Sequence, residues 1–99
     1  MATRSNIYVE TEPGTYLGTY CHYDGYPRHM FPTIAKMKHE ELLGHILIAM
    51  TRGGIRILEG QGATEYLEDT ISVVLTNPAQ EDWGPDYVYI KRLDGGVQW

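Results

Sequence analysis

The chain has 99 residues, of which 42% are hydrophobic and 21% charged, and its formal net charge is −5. This length and composition are typical of one small globular domain, which we expect to span residues 1–99. The longest apolar run, residues 46–50, is far shorter than the roughly 20 residues that a membrane span needs, and no leader pattern opens the chain. We therefore expect no membrane association and a soluble protein.

The negative charge lies in the second half of the chain. Residues 54–99 carry eight acidic and three basic side chains, whereas residues 1–53 carry five of each. A nucleic-acid surface needs clustered Lys and Arg to replace the counterions of the phosphates, so we expect no nucleic-acid partner. The single cysteine, Cys21, cannot form an internal disulfide, which favours a reducing compartment such as the cytoplasm.

The chain opens with a predicted β-hairpin. β-branched and aromatic residues flank the segment Glu-Pro-Gly-Thr at residues 12–15, whose Pro and Gly suit the central positions of a type II turn. In the first strand, Ile7 and Val9 share a face opposite Tyr8 and Glu10, because successive side chains alternate.

The second strand of the hairpin has one apolar and one phenolic face. Its expected core face carries Leu17, Thr19 and Cys21, and its other face carries Tyr16, Tyr20 and His22. The strand is predicted to end at a turn formed by Asp24 and Gly25, in which Gly25 supplies a positive φ.

One long amphipathic helix is predicted next. Tyr26-Pro27 and Phe31-Pro32 favour extended backbone, so the helix is expected to begin no earlier than about Pro32 and to span about residues 34–50. Apolar residues recur at three- and four-residue spacing, and those expected to pack on the sheet are Leu43, Ile46, Leu47 and Met50. Two glycines, Gly53 and Gly54, are the predicted stop.

Strands dominate the prediction for the rest of the chain. Residues 55–58 indicate a short strand, residues 63–69 a helical turn, residues 70–76 a buried strand, and the segments around Asp94-Gly95-Gly96 a second hairpin. The predicted fold class is α+β: a small, mainly antiparallel sheet with one long amphipathic helix packed on one face.

Several side chains with catalytic or metal-binding chemistry lie close together in the sequence. His22, Asp24 and His29 could form a metal-assisted or hydrolytic site if they converged. Cys21 could act as a nucleophile, but its alternation with Leu17 favours a buried thiol. We expect no metal and no cofactor.

The strongest candidate site is a binding surface rich in phenols. Tyrosine rings are large and stiff and can donate hydrogen bonds, which makes them common at binding hot spots. The predicted binding residues are Tyr16, Tyr20, His22, Tyr23, Asp24 and Tyr26.

Three segments resemble a widespread family of small, uncharacterised proteins of bacteriophages and bacteria. They are "SNIYVE", "GTYLGTYCHYDGYP" and the terminal "YVYI…DGGVQW". In that family a Tyr-Cys-His-aromatic-Asp-Gly-Tyr-Pro block is shared, and the chain ends in a Tyr-x-Tyr strand and a Gly-x-x-Trp hairpin. The resemblance implies a phage or prophage setting and no known reaction.

Two hypotheses for the function follow. The first is a non-catalytic, phage-type binding protein that engages a host protein or sequesters a small ligand through its Tyr- and His-rich face, in counter-defence or host takeover. The alternative is a small hydrolase or metal-assisted enzyme that uses His22, Asp24 and His29. A homodimer is also expected, because a small sheet with exposed edges buries more surface by association.

Overall fold

A computed structural model describes residues 3–60, 63–68, 74–78 and 86–98. The described part confirms the α+β class. In chain order its elements are β1 (Ser5–Glu12), β2 (Thr15–Cys21), α1 (Pro27–Lys36), α2 (His39–Met50), β3 (Ile55–Ile57), β4 (Glu65–Tyr66), β5 (Tyr87–Lys91) and β6 (Val97–Gln98). Neither helix in these ranges has the length and apolar composition that crossing a membrane requires.

The strands form one mixed sheet in the order β4-β3-β2-β1-β5-β6. β1–β2, β3–β4 and β5–β6 pair antiparallel, whereas β1–β5 and β2–β3 pair parallel. The prediction of a mainly antiparallel sheet is therefore wrong. The physical reason is that both parallel pairs join strands separated by long stretches of chain, which allow a crossover, whereas a short turn allows only antiparallel pairing. Both helices lie in the crossover between β2 and β3.

Both predicted hairpins are confirmed. Between β1 and β2 the turn contains Gly14 with a φ of +78°, as the third position of a type II turn requires. Between β5 and β6 the turn contains Gly95 with a φ of +91°. These two glycines lie where a side chain would be strained.

The prediction of one long helix is wrong, because the chain forms two. α1 begins at Pro27, where the missing N–H of proline would have had no helical partner, and it continues through Pro32. The backbone is extended at Met37, with ψ of 142°, and again at Lys38, with ψ of 150°. This break lets the side chain of Met37 enter the core, where it is buried.

α2 packs on the sheet through a face that differs in part from the predicted one. Ile46 is buried as expected, and Leu43 and Met50 are partly buried against the core. The other fully buried residues of α2 are Leu42 and Ala49, which were not predicted. Leu47, expected in the core, is 48% exposed. Apolar residues surround most of this helix, so their spacing alone was compatible with more than one buried face.

The core lies between the helices and one face of the sheet. The sheet contributes Ile7, Val9, Cys21, Ile55 and Tyr89, and the helices contribute Met30, Ile34, Leu42, Ile46 and Ala49.

A buried lysine joins β5 to the end of α1. The ammonium group of Lys91 donates hydrogen bonds to the carbonyl oxygens of Ile34, at 3.0 Å, and Ala35, at 3.4 Å. A cation is favourable at this end of a helix because the last carbonyls have no partner within the helix. Burial lowers the pKa of Lys91, since the charged form loses hydration.

The segment after β3 also differs from the prediction. Glu65 and Tyr66 form a strand paired with β3 instead of a helical turn. Of the predicted strand at residues 70–76, residues 70–73 lie outside the described residues. Leu75 is buried and forms an antiparallel bridge with Gly18, in which the Gly18 N–H and the Leu75 oxygen are 2.7 Å apart.

The burial of α2 predicts unequal costs for two leucine truncations. Leu42→Ala should lower the free energy of unfolding by about 2–5 kcal/mol, because it leaves a cavity in the core. Leu47→Ala, the matched control on the exposed side of the same helix, should cost less than about 0.5 kcal/mol. Urea denaturation followed by circular dichroism measures both values. Equal losses would contradict the assignment of the Leu42 face of α2 to the core.

Glu10 connects the two hairpin turns at one end of the sheet. Its carboxylate accepts the Leu93 N–H at 3.1 Å and the Gly14 N–H at 3.3 Å, and Arg92 lies 3.8 Å from it. These backbone donors, Leu93 first and Gly14 second, lower the pKa of Glu10 below its usual 4.5 because they stabilise the ionised form.

The lowered pKa of Glu10 makes a contribution to stability that depends on pH. The unfolded chain binds a proton at a higher pH than the folded chain, so the contribution is present above the usual pKa and is lost as the pH falls through the lowered one. Glu10→Gln should therefore reduce the unfolding midpoint in urea at pH 7 more than at pH 3. The control is Glu12→Gln, an exposed carboxylate in the same strand, and an effect of Glu10→Gln that does not vary with pH would contradict this role.

Candidate functional site

The end of β2 is joined to β3 by backbone hydrogen bonds that continue past Cys21. The His22 N–H donates to the Ile55 oxygen and the Tyr23 N–H to the Arg56 oxygen, both at 2.9 Å. The side chains of His22 and Tyr23 are therefore fixed beside β3 by the parallel pairing, although they follow the last strand residue.

Cys21 lies inside, as expected. Its side chain is buried in the core, and its thiol contacts the Tyr23 carbonyl oxygen at 3.4 Å. Burial raises the pKa of the Cys21 thiol to about 11, because a thiolate would lose its hydration there. The thiol is therefore protonated at neutral pH and poorly suited to nucleophilic attack.

Tyr20 and His22 form a hydrogen-bonded pair on the opposite face of β2. The Tyr20 hydroxyl and the His22 Nδ1 are 2.5 Å apart, and the His22 ring meets the edge of the Tyr23 ring with centroids 4.5 Å apart. Burial raises the pKa of Tyr20, so its hydroxyl remains protonated at neutral pH. Nδ1 is occupied, which leaves Nε2 as the His22 atom available to a ligand.

The corner between β2 and α1 differs from the predicted turn in one detail. Asp24, not Gly25, has the positive φ, at +56°. Gly25 is needed for a different reason: a Cβ at this position would lie 2.7 Å from the Thr3 oxygen and 2.8 Å from the Ser5 side chain. The Gly25 N–H donates to the Thr3 oxygen at 3.0 Å, and the Gly25 oxygen accepts the Tyr89 hydroxyl at 2.6 Å.

A cleft opens at the β3–β4 edge of the sheet, beside the end of β2. It has a volume of about 580 Å³ and is lined chiefly by His22, Tyr23, Arg52, Arg56, Glu65 and Tyr66. We call it the edge cleft. Its volume lies within the range of roughly 300–1,000 Å³ that small-molecule sites occupy.

Each arginine of the edge cleft lies over a tyrosine ring. The guanidinium carbon of Arg56 is 5.7 Å from the centre of the Tyr23 ring, and that of Arg52 is 6.0 Å from the centre of the Tyr66 ring. Tyr66 is in turn fixed by His45 of α2, whose Nδ1 is 2.8 Å from the Tyr66 hydroxyl. Both distances lie within the roughly 6 Å at which a guanidinium is attracted to the face of an aromatic ring.

The six predicted binding residues do not form one surface. His22 and Tyr23 line the edge cleft, and Tyr23 is 36% exposed. Tyr20 does not line it but is hydrogen-bonded to His22. Tyr16 lies at the other end of β2, where its hydroxyl accepts a hydrogen bond from Arg92 at 3.4 Å.

The other two predicted residues lie at the corner before α1. Asp24 is partly exposed there, and Tyr26 immediately precedes α1. Tyr26 is 37% exposed, and its ring centre lies 6.3 Å from that of His29.

His29, part of the alternative hydrolytic set, belongs to a different environment from His22. Its Nε2 donates to the Leu58 oxygen at 2.9 Å, and the residue lines a second cleft together with Arg28 and Lys36. In the part of the chain that the structure describes, no three His, Cys, Asp or Glu side chains are placed to share a metal ion.

Six residues that line the edge cleft were not predicted: Arg52, Arg56, Glu65, Tyr66, Leu67 and Glu68. The two arginines flank the glycine pair that ends α2, and Tyr66 lies in the segment predicted as a helical turn. Nothing in the local sequence separates them from ordinary surface residues, because the pairing of β3 with β2 and β4 brings them together.

No protein-family model, curated protein or solved structure matches the chain. The resemblance to a phage family therefore stays a prediction.

The packing at the corner predicts opposite effects for two glycine substitutions. Gly25→Ala should lower the free energy of unfolding by about 1–3 kcal/mol, because the new methyl group would meet the Thr3 carbonyl oxygen and the Ser5 side chain. Gly44→Ala should raise it by up to about 1 kcal/mol, because a Cβ on this helical glycine meets nothing within 4 Å and alanine favours the helix. Chemical denaturation measures both, and a neutral Gly25→Ala would rule out the close approach.

Proposed function

We propose that this protein is a non-catalytic binding module that sequesters a small ligand in the edge cleft. The observation that carries the proposal is the convergence of two stacked arginines, two tyrosines and His22 on one concave surface. Such a surface combines aromatic area with a few polar groups that fix the orientation of a ligand, as small-molecule sites do.

The state of the reactive side chains supports binding over catalysis. The thiol of Cys21 is buried, and its raised pKa disfavours the nucleophilic form. The Nδ1 atom of His22 is engaged by a phenol, whereas catalytic histidines are usually oriented by a carboxylate.

The phage setting that the resemblance implies gives this binding a role. A module that holds a host metabolite or signal lowers its free concentration without chemistry, which would serve counter-defence or host takeover. The contribution of the structure to this proposal is the shape and chemistry of the cleft. The setting rests on the resemblance alone.

Recovery of a bound compound tests the proposal. The full chain is incubated with the small-molecule fraction of a bacterial lysate, repurified and heated, and the released compounds are identified by mass spectrometry. We expect one compound in near-stoichiometric amount with the unaltered protein and at least about tenfold less with His22→Ala, because central contacts of a site carry most of the affinity.

Tyr16→Ala is the matched control, since Tyr16 lies on the same face of β2 but at its other end. It should retain the compound, and both variants should keep the thermal midpoint of the unaltered protein. The proposal is overturned if no compound is recovered or if His22→Ala retains it in full. Capture of a lysate protein in a His22-dependent manner, with no compound, would replace the small ligand by a host protein.

A further inference from the structure

The two arginines of the edge cleft are the first indication of what the ligand carries. Within the described residues, the guanidinium groups of Arg52 and Arg56 form no hydrogen bond or ion pair, and their contacts in the cleft are with the rings of Tyr66 and Tyr23. A guanidinium has only donors, and its planar edge fits phosphate oxygens in pairs. The free edges of two guanidiniums in one cleft favour a phosphate group.

The carboxylates of the same cleft restrict the ligand further. Glu65 and Glu68 line it with the arginines, but neither lies within ion-pair distance of them in the described part of the chain. An ionised carboxylate can only accept hydrogen bonds, and it repels a bare anion. The part of the ligand that meets these groups must therefore supply N–H or O–H donors.

The aromatic residues indicate the shape of that part. Tyr23, Tyr66 and His22 line the cleft, and each tyrosine ring has an arginine over one face. A planar ring would therefore stack on the outer plane of a guanidinium or on the imidazole of His22. Stacking on aromatic rings and arginine planes is the usual way in which proteins hold an unpaired nucleobase.

We propose that the edge cleft binds a free nucleotide, with its phosphate on Arg52 and Arg56 and the N–H edge of its base towards Glu65 and Glu68. This inference rests on the proposed function and names the class of ligand for that site. A nucleotide combines the three features that the cleft requires: an anionic phosphate, a flat ring and ring-edge donors. Guanine offers two adjacent N–H donors, which match the two oxygens of one carboxylate.

Calorimetric titration of the full chain with guanosine 5′-monophosphate, guanosine and inorganic phosphate tests the inference. The nucleotide should bind at least about tenfold more tightly than either part, because only it meets both the arginines and the carboxylates. Arg56→Gln should weaken the nucleotide at least about tenfold and leave guanosine unchanged. Arg52→Gln is the second variant, and thermal unfolding checks that both remain folded.

Arg28→Gln is the matched control, because it removes the same charge from an exposed arginine of the second cleft. It should leave nucleotide affinity unchanged. A single-stranded oligonucleotide should bind no more tightly than the nucleotide, since the net charge of −5 opposes a longer polyanion. Tighter binding of the oligonucleotide would overturn the assignment to a free nucleotide.

The inference is also overturned if the nucleotide fails to bind at millimolar concentration, or if Arg56→Gln and Arg28→Gln bind it equally. Either result leaves the proposed function standing when the lysate experiment recovers another compound that depends on His22. Failure of both experiments overturns both proposals.

Discussion

The close approach of Gly25 to the start of β1 is the constraint on which the rest of the structure depends. No side chain fits there, because a Cβ would lie 2.7 Å from the Thr3 oxygen. The Gly25 N–H pairs with Thr3, and its carbonyl accepts the buried Tyr89 hydroxyl. Gly25 thus connects the segment before β1 with the middle of β5, two residues before α1 begins. After this corner the chain forms both helices, which pack on the sheet, and then β3, which pairs with β2.

The edge cleft is a consequence of this corner and of the parallel pairing that follows it. Because His22 and Tyr23 continue the hydrogen bonds to β3, Tyr23 comes within stacking distance of Arg56. Tyr66, which belongs to β4, is contacted by His45 and Arg52. Residues of β3 and β4 therefore meet those that directly follow β2 and α2 at one sheet edge.

Polar groups at the two ends of the sheet are used differently. At the hairpin end, Glu10 accepts two backbone N–H groups and Lys91 caps α1, so their hydrogen-bonding capacity serves the fold. In the edge cleft, the described residues form no hydrogen bond or ion pair with the guanidinium groups of Arg52 and Arg56. Unused donors in a concave surface are the physical basis for assigning binding to this end.

The sequence by itself determined the features that depend on neighbouring residues: the two hairpins, the stop at the glycine pair, the short strand after it, and the alternation that buries Cys21 and turns Tyr20 and His22 away from it. These follow from turn chemistry and from the period of two in a strand. Only the tertiary structure decided the mixed sheet, the break at Met37, the buried face of α2 and the assembly of the edge cleft. Each of these depends on contacts between residues far apart in the chain, and such contacts leave no periodic signal in the local sequence.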